Sequence, residues 1–330
     1  MRICIFGAGA IGGHLAAKLA SAGHDVSTVA RGPNLAALRA RGITLRHGER
    51  TFSGRVRASE RTQELGAHDV VFVTTKATGL AALAEGAAPL TGPETAFVFV
   101  QNGIPWWYAQ GLEGKPGAGR PRLPAEMERL DRDGRLAGAI APERVIGAVV
   151  YSSNDMVEPG VVENHTPGRN MLVLGEPDDR TSARIGKLRA LLEEADVLSP
   201  PTGAIREVVW NKLLVNFGSS LCVPLGEPVS AILQDPALRA LRERLIEEGR
   251  AIARAYGVDP QAAPKRPGGA QPSSHKPSML QDYELGRPME VDALLAVPLA
   301  FARAAGVQAP ALEALTALVA RLAARKGLYS

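Results

Sequence analysis

The chain has 330 residues, 45% hydrophobic and 22% charged. That balance belongs to a globular protein with ample core material and excludes disorder as a description of the whole chain. The basic excess is small, 38 − 34 = +4, and spread along the chain, so charge does not point to a nucleic-acid partner.

The length suits one large domain or two of ordinary size. Cys4 and Cys222 are the two cysteines and offer neither a disulfide framework nor zinc spacing. The six histidines show no paired metal spacing either. The first residues run straight into a strand without the long apolar stretch of a secretory signal. No run of about eighteen uninterrupted apolar residues occurs, as a membrane span would need. The expectation is a cytoplasmic protein that binds no metal, membrane or nucleic acid.

Residues 2–6 form a compact apolar strand ending in glycine. Residues 11–22 carry Ile11, Leu15 and Leu19 on one helical stripe, with Gly23 as the stop. A second strand spans 25–30, a helix 34–41, and 43–56 alternates around His47-Gly48-Glu49 as a hairpin does. The runs 69–74 and 95–100 are nearly continuous apolar strands, suited to a sheet covered on both faces. This alternation predicts right-handed βαβ units and a mostly parallel sheet. Residues 105–142 are weakly patterned, and 114–124 is a loop rich in Gly and Pro. Strand character returns at 144–151 and in an expected hairpin, 161–165 with 171–174, followed by a helix over 182–194. Beyond Pro200-Pro201 the chain reads as helical: 205–217, 236–256, 288–305 and 310–325, three of them opened by proline. Residues 261–274 read as a mobile connection. The expected fold is α/β, an N-terminal Rossmann-type dinucleotide-binding domain over 1–199 followed by an all-α domain over 200–330.

Gly7-Ala8-Gly9-Ala10-Ile11-Gly12 fits G-x-G-x-x-G between a strand and an amphipathic helix, the context a dinucleotide fingerprint requires. Gly7 serves the tight turn, Gly9 the approach of backbone to pyrophosphate, and Gly12 the packing of helix on strand. The helix N-terminus, with Ala10 and Ile11, offers free N–H groups to the anion. At the end of the second strand an NAD site usually carries an acidic residue. Here that place reads Val29-Ala30-Arg31-Gly32. Arg31 could pair with a 2′-phosphate, which favours NADPH. It could also be one more solvated arginine.

Two central strands end in Thr74-Thr75-Lys76 and Gln101-Asn102-Gly103, at the edge where open α/β sheets bind ligands. Asn102-Gly103 could be a plain turn or could hold the ribose or the substrate. Lys212 lies on an apolar helical stripe with Val208 and Val209, and Asn216 sits one turn further. Only eight of the basic residues are lysines, so each merits attention. A desolvated lysine is a usable proton donor, and a snorkelling lysine is the plain alternative. Glu290 stacks under Leu294 and Val297, or complements a helix start. Ser278 and Asp282 could be simple capping residues.

Together these motifs resemble the ketopantoate reductase family. The matching residues are Gly7–Gly12, Arg31, Lys76, Asn102-Gly103, Trp210 to Asn216 (W-x-K-L-x-x-N), and Ser278-Met279-Leu280-Gln281-Asp282 followed by Glu290-Val291-Asp292. The resemblance implies Lys212 as catalytic acid, with Glu290 assisting it and contacting substrate. It implies that Asn102, Asn216 and Ser278 line the substrate and nicotinamide site. It implies that Arg31 and Lys76 serve the phosphorylated end of NADPH. The reaction it implies is reduction of 2-dehydropantoate to (R)-pantoate, on the way to pantothenate and coenzyme A. Two departures stand out. Ser220 occupies the substrate-binding place of a second family Asn, and residues 105–141, with Trp106-Trp107, exceed the family's compact form. They favour a sister enzyme acting on another branched or aromatic 2-oxo acid. A regulator without chemistry would lack Lys212 or Glu290, and both are present. Trp106-Trp107 could be a pocket wall or the interface of a homodimer.

Overall fold

The computed structural model describes residues 1–112, 121–168, 170–260 and 276–329. Its main sheet has seven strands: β1 (Arg2–Phe6), β2 (Asp25–Val29), β5 (Arg57–Ser59), β6 (His68–Val73), β7 (Thr91–Phe99), β8 (Val145–Tyr151) and β11 (Met171–Gly175). Their order is β11-β8-β7-β6-β1-β2-β5, and only β11 runs antiparallel to its neighbour. Ile3, Ile5, Val70, Phe72, Val98 and Ile146 join one buried core. The apolar runs read in β1, β6 and β7 are thus those of a sheet covered on both faces.

A second sheet has four strands, β3 (Ile43–His47), β4 (Arg50–Gly54), β9 (Asn154–Glu158) and β10 (Val161–Asn164), in the order β4-β3-β10-β9. The helix α1 (Ala10–Ser21) lies against both sheets. A Cβ on Gly12 would meet Ile5 and the turn at Gly7, and one on Gly13 would come 2.7 Å from Val162 of β10. That double coverage explains why His14 to Leu19 are all buried, Lys18 included. The Lys18 ammonium is 2.6 Å from Asp196 Oδ2 and 3.7 Å from the centre of the Phe52 ring. Three helices complete the layers around the sheets: α2 (Gly32–Arg41), α3 (Leu80–Leu90) and α4 (Arg135–Ala139). A fourth, α5 (Ala183–Glu194), is capped by Ser182, whose side chain accepts the Ile185 N–H.

The hairpin expected from 161–165 and 171–174 does not form. β10 pairs with β9 and β3, whereas β11 pairs with β8 in the other sheet. The intervening stretch is too long for a tight turn. Asn164 anchors it by donating to Asn154 Oδ1 and Asn170 Oδ1. The sequence reading missed β9 because Asn154, Asp155 and Glu158 obscure its alternation.

The remaining helices are α6 (Ile205–Ser220), α7 (Cys222–Leu225), α8 (Val229–Gln234), α9 (Pro236–Ala255), α10 (Ser278–Glu284), α11 (Val297–Ala304) and α12 (Pro310–Arg325). Asp235 caps α9 by accepting the N–H groups of Ala237 and Leu238. The helix expected over 288–305 starts later, since residues 287–290 are not helical, and its first turn, Asp292–Ala296, is a π turn. Pro298 accounts for the widening: it has no N–H for the Leu294 carbonyl and its ring would clash there. The connection 261–274 and most of the loop 114–124 lie outside the described residues.

Two compact units emerge. One comprises Met1–Gln101, Gln110–Leu112 and Asp133–Ile205. The other is helical and comprises Asn102–Ala109, the described part of Glu113–Arg132, and the described part of Arg206–Ser330. Ile205–Leu225 has the length and mean hydropathy, 1.2, that a membrane span would need. Yet 56% of its apolar 18-residue window is buried within the protein, as expected of a core helix.

Candidate active site

In the first unit the glycine turn is built by hydrogen bonds at the carboxyl edge of the sheet. Gly7 (φ +105°) and Ala8 both donate to the Val29 carbonyl of β2. Thr74 and Thr75 donate their N–H groups to the Phe6 carbonyl, and Thr74 Oγ1 donates to Gly7 O at 2.8 Å. A Cβ on Gly12 would stand 2.1 Å from Gly7 O, so only glycine lets the helix start this close to the strand. Gly9 differs: a Cβ there would meet nothing within 4 Å. Gly9 also caps α1 without a side chain, and the first turn carries no acidic residue. Open space above bare N–H groups at a helix N-terminus is what a pyrophosphate requires. Gly7, Ala8, Gly9, Ala10, Ile11 and Gly12 therefore fit the group that the sequence motif implies.

Arg31 follows β2 as the N-cap of α2 and is exposed. Its carbonyl accepts the Leu35 N–H, its side chain has no hydrogen bond or ion pair among the described residues, and Asp25 lies at the opposite end of β2, beside Arg2. Lys76 caps the short 3-10 turn after β6 and is half-buried. Gln101, at the end of β7, donates from Nε2 to both Val73 O and Thr75 O at 2.9 Å and so fastens that edge. The Thr75 hydroxyl is buried without a partner among the described residues. Sequence reasoning missed Asn34, whose Nδ2 donates to Ala8 O at 2.7 Å while its Oδ1 accepts from Gly160 N at 2.8 Å. An Asn in the first turn of the helix after β2 was the available signal.

The helical unit assembles the other candidates. Asn102 opens a segment docked on the π turn: Ile104 N donates to Ala293 O at 2.9 Å. Gly103 (φ +83°) has room for no Cβ, which would fall 2.2 Å from Ala293 O. Asn102-Gly103 is therefore a close docking point rather than a free turn. The same π turn begins two residues after Glu290, which is buried. Glu290 precedes the helix instead of lying within it, and its carbonyl accepts the Leu294 N–H. The expectation that Glu290 lies inside a helix over 288–305 is corrected to a place at its start.

The segment after Asn102 also fastens α6. The Tyr108 carbonyl accepts from Arg206 Nε and Nη2 at 3.0 and 2.8 Å, and the Tyr108 hydroxyl accepts from Trp210 Nε1 at 2.8 Å. Tyr108, Trp210 and Tyr256 all pack on Phe301. Both Trp106 and Trp107 are buried. Arg206 and Trp210 are thereby fixed, and with them the helix that presents Lys212 and Asn216 one turn apart. Lys212 is half-buried. Asn216 Nδ2 is buried with no partner among the described residues, as is Asn211 Oδ1. Buried amides left open are uncommon and mark places where a ligand can bind. Ser220 is buried and donates its hydroxyl to Asn216 O at 2.8 Å. Ser278 is the exposed first residue of α10, capped by Pro277. Asp282 is not a cap: it is buried within α10 and pairs with Arg287 at 3.0 Å. Burial pushes the Cys222 thiol up to about 12 and Cys4 higher still, which leaves neither as a nucleophile.

Residues 3–105 match the family model of ketopantoate reductase PanE/ApbA, and residues 204–323 match that of its C-terminal domain. A 2-dehydropantoate 2-reductase from Mesorhizobium japonicum is 40% identical over the whole of both chains. The chain belongs to the ketopantoate reductase family. A crystal structure described as a candidate ketopantoate reductase, from Ralstonia solanacearum MolK2, superposes with a TM-score of 0.85 at 36% identity, covering 99% of each chain. D-mandelate dehydrogenase in complex with NADH and anilino(oxo)acetate shares the fold, with a TM-score of 0.81 at 18% identity over 99% of this chain and 100% of that one. Family membership makes the protein a pyridine-nucleotide-dependent oxidoreductase acting on a CH–OH group.

Proposed function

We propose that the protein reduces 2-dehydropantoate to (R)-pantoate with NADPH. The observation that carries this reading is the helical unit, where Tyr108 and Ala293 tie the Asn102 segment both to the Lys212 helix and to the Glu290 turn. The full-length relative with that activity supports the choice of substrate. The turn of Gly7 to Gly12, Lys76 and Arg31 would hold the dinucleotide, which when bound would supply the hydride for the carbonyl carbon. Lys212 donates a proton to the carbonyl oxygen as alkoxide charge develops there. Glu290 holds the ammonium and a substrate hydroxyl, and this pairing keeps a lysine charged on an apolar helix face. The open Asn216 Nδ2 donates to the substrate, with Asn102 and Ser278 completing the site.

NADPH is favoured over NADH because no acidic residue stands at the end of β2 and the Arg31 guanidinium is available there. The decisive experiment is steady-state kinetics with a panel of 2-oxo acids and both cofactors. A specificity constant for 2-dehydropantoate well above the rest is the expected result. A second reading, a branched or aromatic 2-oxo acid, draws on Ser220. Its hydroxyl proton is committed to the helix backbone, so it does not replace the amide donor that many family members carry there. An aromatic oxo acid leading the panel would establish that reading instead.

A further inference from the structure

Asp292 ends the E-x-D motif, and the reaction leaves it without a role. Its Oδ1 accepts a hydrogen bond from the Tyr329 hydroxyl at 2.7 Å and lies 3.4 Å from Arg129 Nη1. Tyr329 belongs to the segment after α12. Arg129 comes from the 3-10 segment Ala125–Leu130, inside the stretch 105–141. One residue before Glu290, Met289 donates its N–H to Leu328 O at 2.9 Å. Glu290 is therefore held on both sides, through Met289 by Leu328 and through Asp292 by Tyr329 and Arg129. All these residues belong to the helical unit.

We propose that Tyr329, Asp292 and Arg129 form a clamp that positions Glu290 for the substrate. The need is physical. Glu290 stands at the very start of the helix, two residues before its π turn: its carbonyl accepts the Leu294 N–H, but no earlier helical turn backs it. Two bonds to one carboxylate oxygen, one of them charge-assisted, supply the missing restraint. Burial and the hydrogen bond to Asp292 push the Tyr329 phenol up to about 12, so it remains a donor at neutral pH. None of the three need touch substrate. They are positioning residues, and the clamp rests on the role of Glu290 proposed above.

The test is steady-state kinetics on the full chain, with NADPH binding measured separately. Tyr329→Phe keeps the ring and removes only the donor. It should raise KM for 2-dehydropantoate roughly 3–10-fold, the factor expected for one lost hydrogen bond, with NADPH affinity unchanged. Asp292→Ala should do at least as much, and Asp292→Asn, which keeps an acceptor oxygen, should restore most of the loss. The same changes made on Glu290→Gln should add little, because their effect passes through Glu290. Tyr329→Phe within twofold of wild type, beside an impaired Glu290→Gln, would overturn the clamp alone. Equal losses with and without Glu290→Gln would make the contact merely structural and would overturn it too. A Glu290→Gln enzyme that behaves as wild type would instead overturn the role of Glu290. If Asp292→Ala does not fold, Tyr329→Phe still decides.

Discussion

Arg31 and Lys212 show how much a single side chain can decide. Arg31→Ala should weaken NADPH binding by about 1.5–3 kcal/mol, the worth of one charge-assisted phosphate contact, and leave NADH nearly unchanged. Fluorescence titration with both cofactors checks this, and equal losses would mark Arg31 as structural. Lys212→Ala should lower kcat by about 10²–10⁴, the range for a lost general acid, with NADPH affinity unaltered. Turnover within a few-fold of wild type would rule out Lys212 as the proton donor. Both candidates stand out in the sequence because each breaks a local rule. A strand end lacks its usual acid, and a lysine sits on an apolar stripe. The role of Asn34 was not legible beyond its place in the first turn of α2, because its partners Ala8 and Gly160 are far from it in the chain.

At the scale of elements, the glycine turn depends on how closely α1 approaches β1. Gly12→Ala would force a methyl group to within 2.1 Å of Gly7 O. The turn must then open, at a cost of at least about 1–3 kcal/mol in stability and with loss of cofactor binding. Thermal melts with and without NADPH report both effects. Asn34→Ala should act differently. It frees the turn without clashing, so NADPH and NADH should weaken together by roughly 3–10-fold, the factor for one or two hydrogen bonds. Discrimination between the cofactors by this variant would contradict a purely positional role. The helices α9 and α12 were readable from their proline starts and apolar stripes. The pairing of β10 and β11 was not, because both runs have strand character and nothing local says which sheet each joins.

At the scale of the whole molecule, α1 leaves a buried polar cluster between the sheets. Burial first, then the Lys18 charge, lowers the His14 pKa from 6.5 to about 3. His47, Asn170 and Asp196 are the other groups that act on it. Burial likewise lowers His47. The sign follows from linkage. His14 is neutral when folded and takes up a proton on unfolding below pH 6.5, so its contribution to stability is complete above that pH. The contribution is lost progressively as pH falls from 6.5 toward about 3. His14→Leu should therefore flatten the decline of Tm over this window. An unchanged slope would place the acid sensitivity elsewhere.

The sequence by itself determined the element types, the fingerprint turn, the cofactor class and the motif residues of the family. Each of these is written in short-range periodicity or in a motif whose chemistry is local. Only the tertiary structure decided that Asn102 docks beside the Glu290 turn and that Glu290 precedes its helix. It also decided that Tyr108 locks the Lys212 helix and that Asp292 gathers Tyr329 and Arg129. Those contacts join residues from 37 to 189 positions apart: 37 for Tyr329 with Asp292, 98 for Arg206 with Tyr108, 163 for Arg129 with Asp292 and 189 for Ile104 with Ala293. Hydrogen bonds at such separations form only once packing has brought their elements together, and no window of sequence contains both partners.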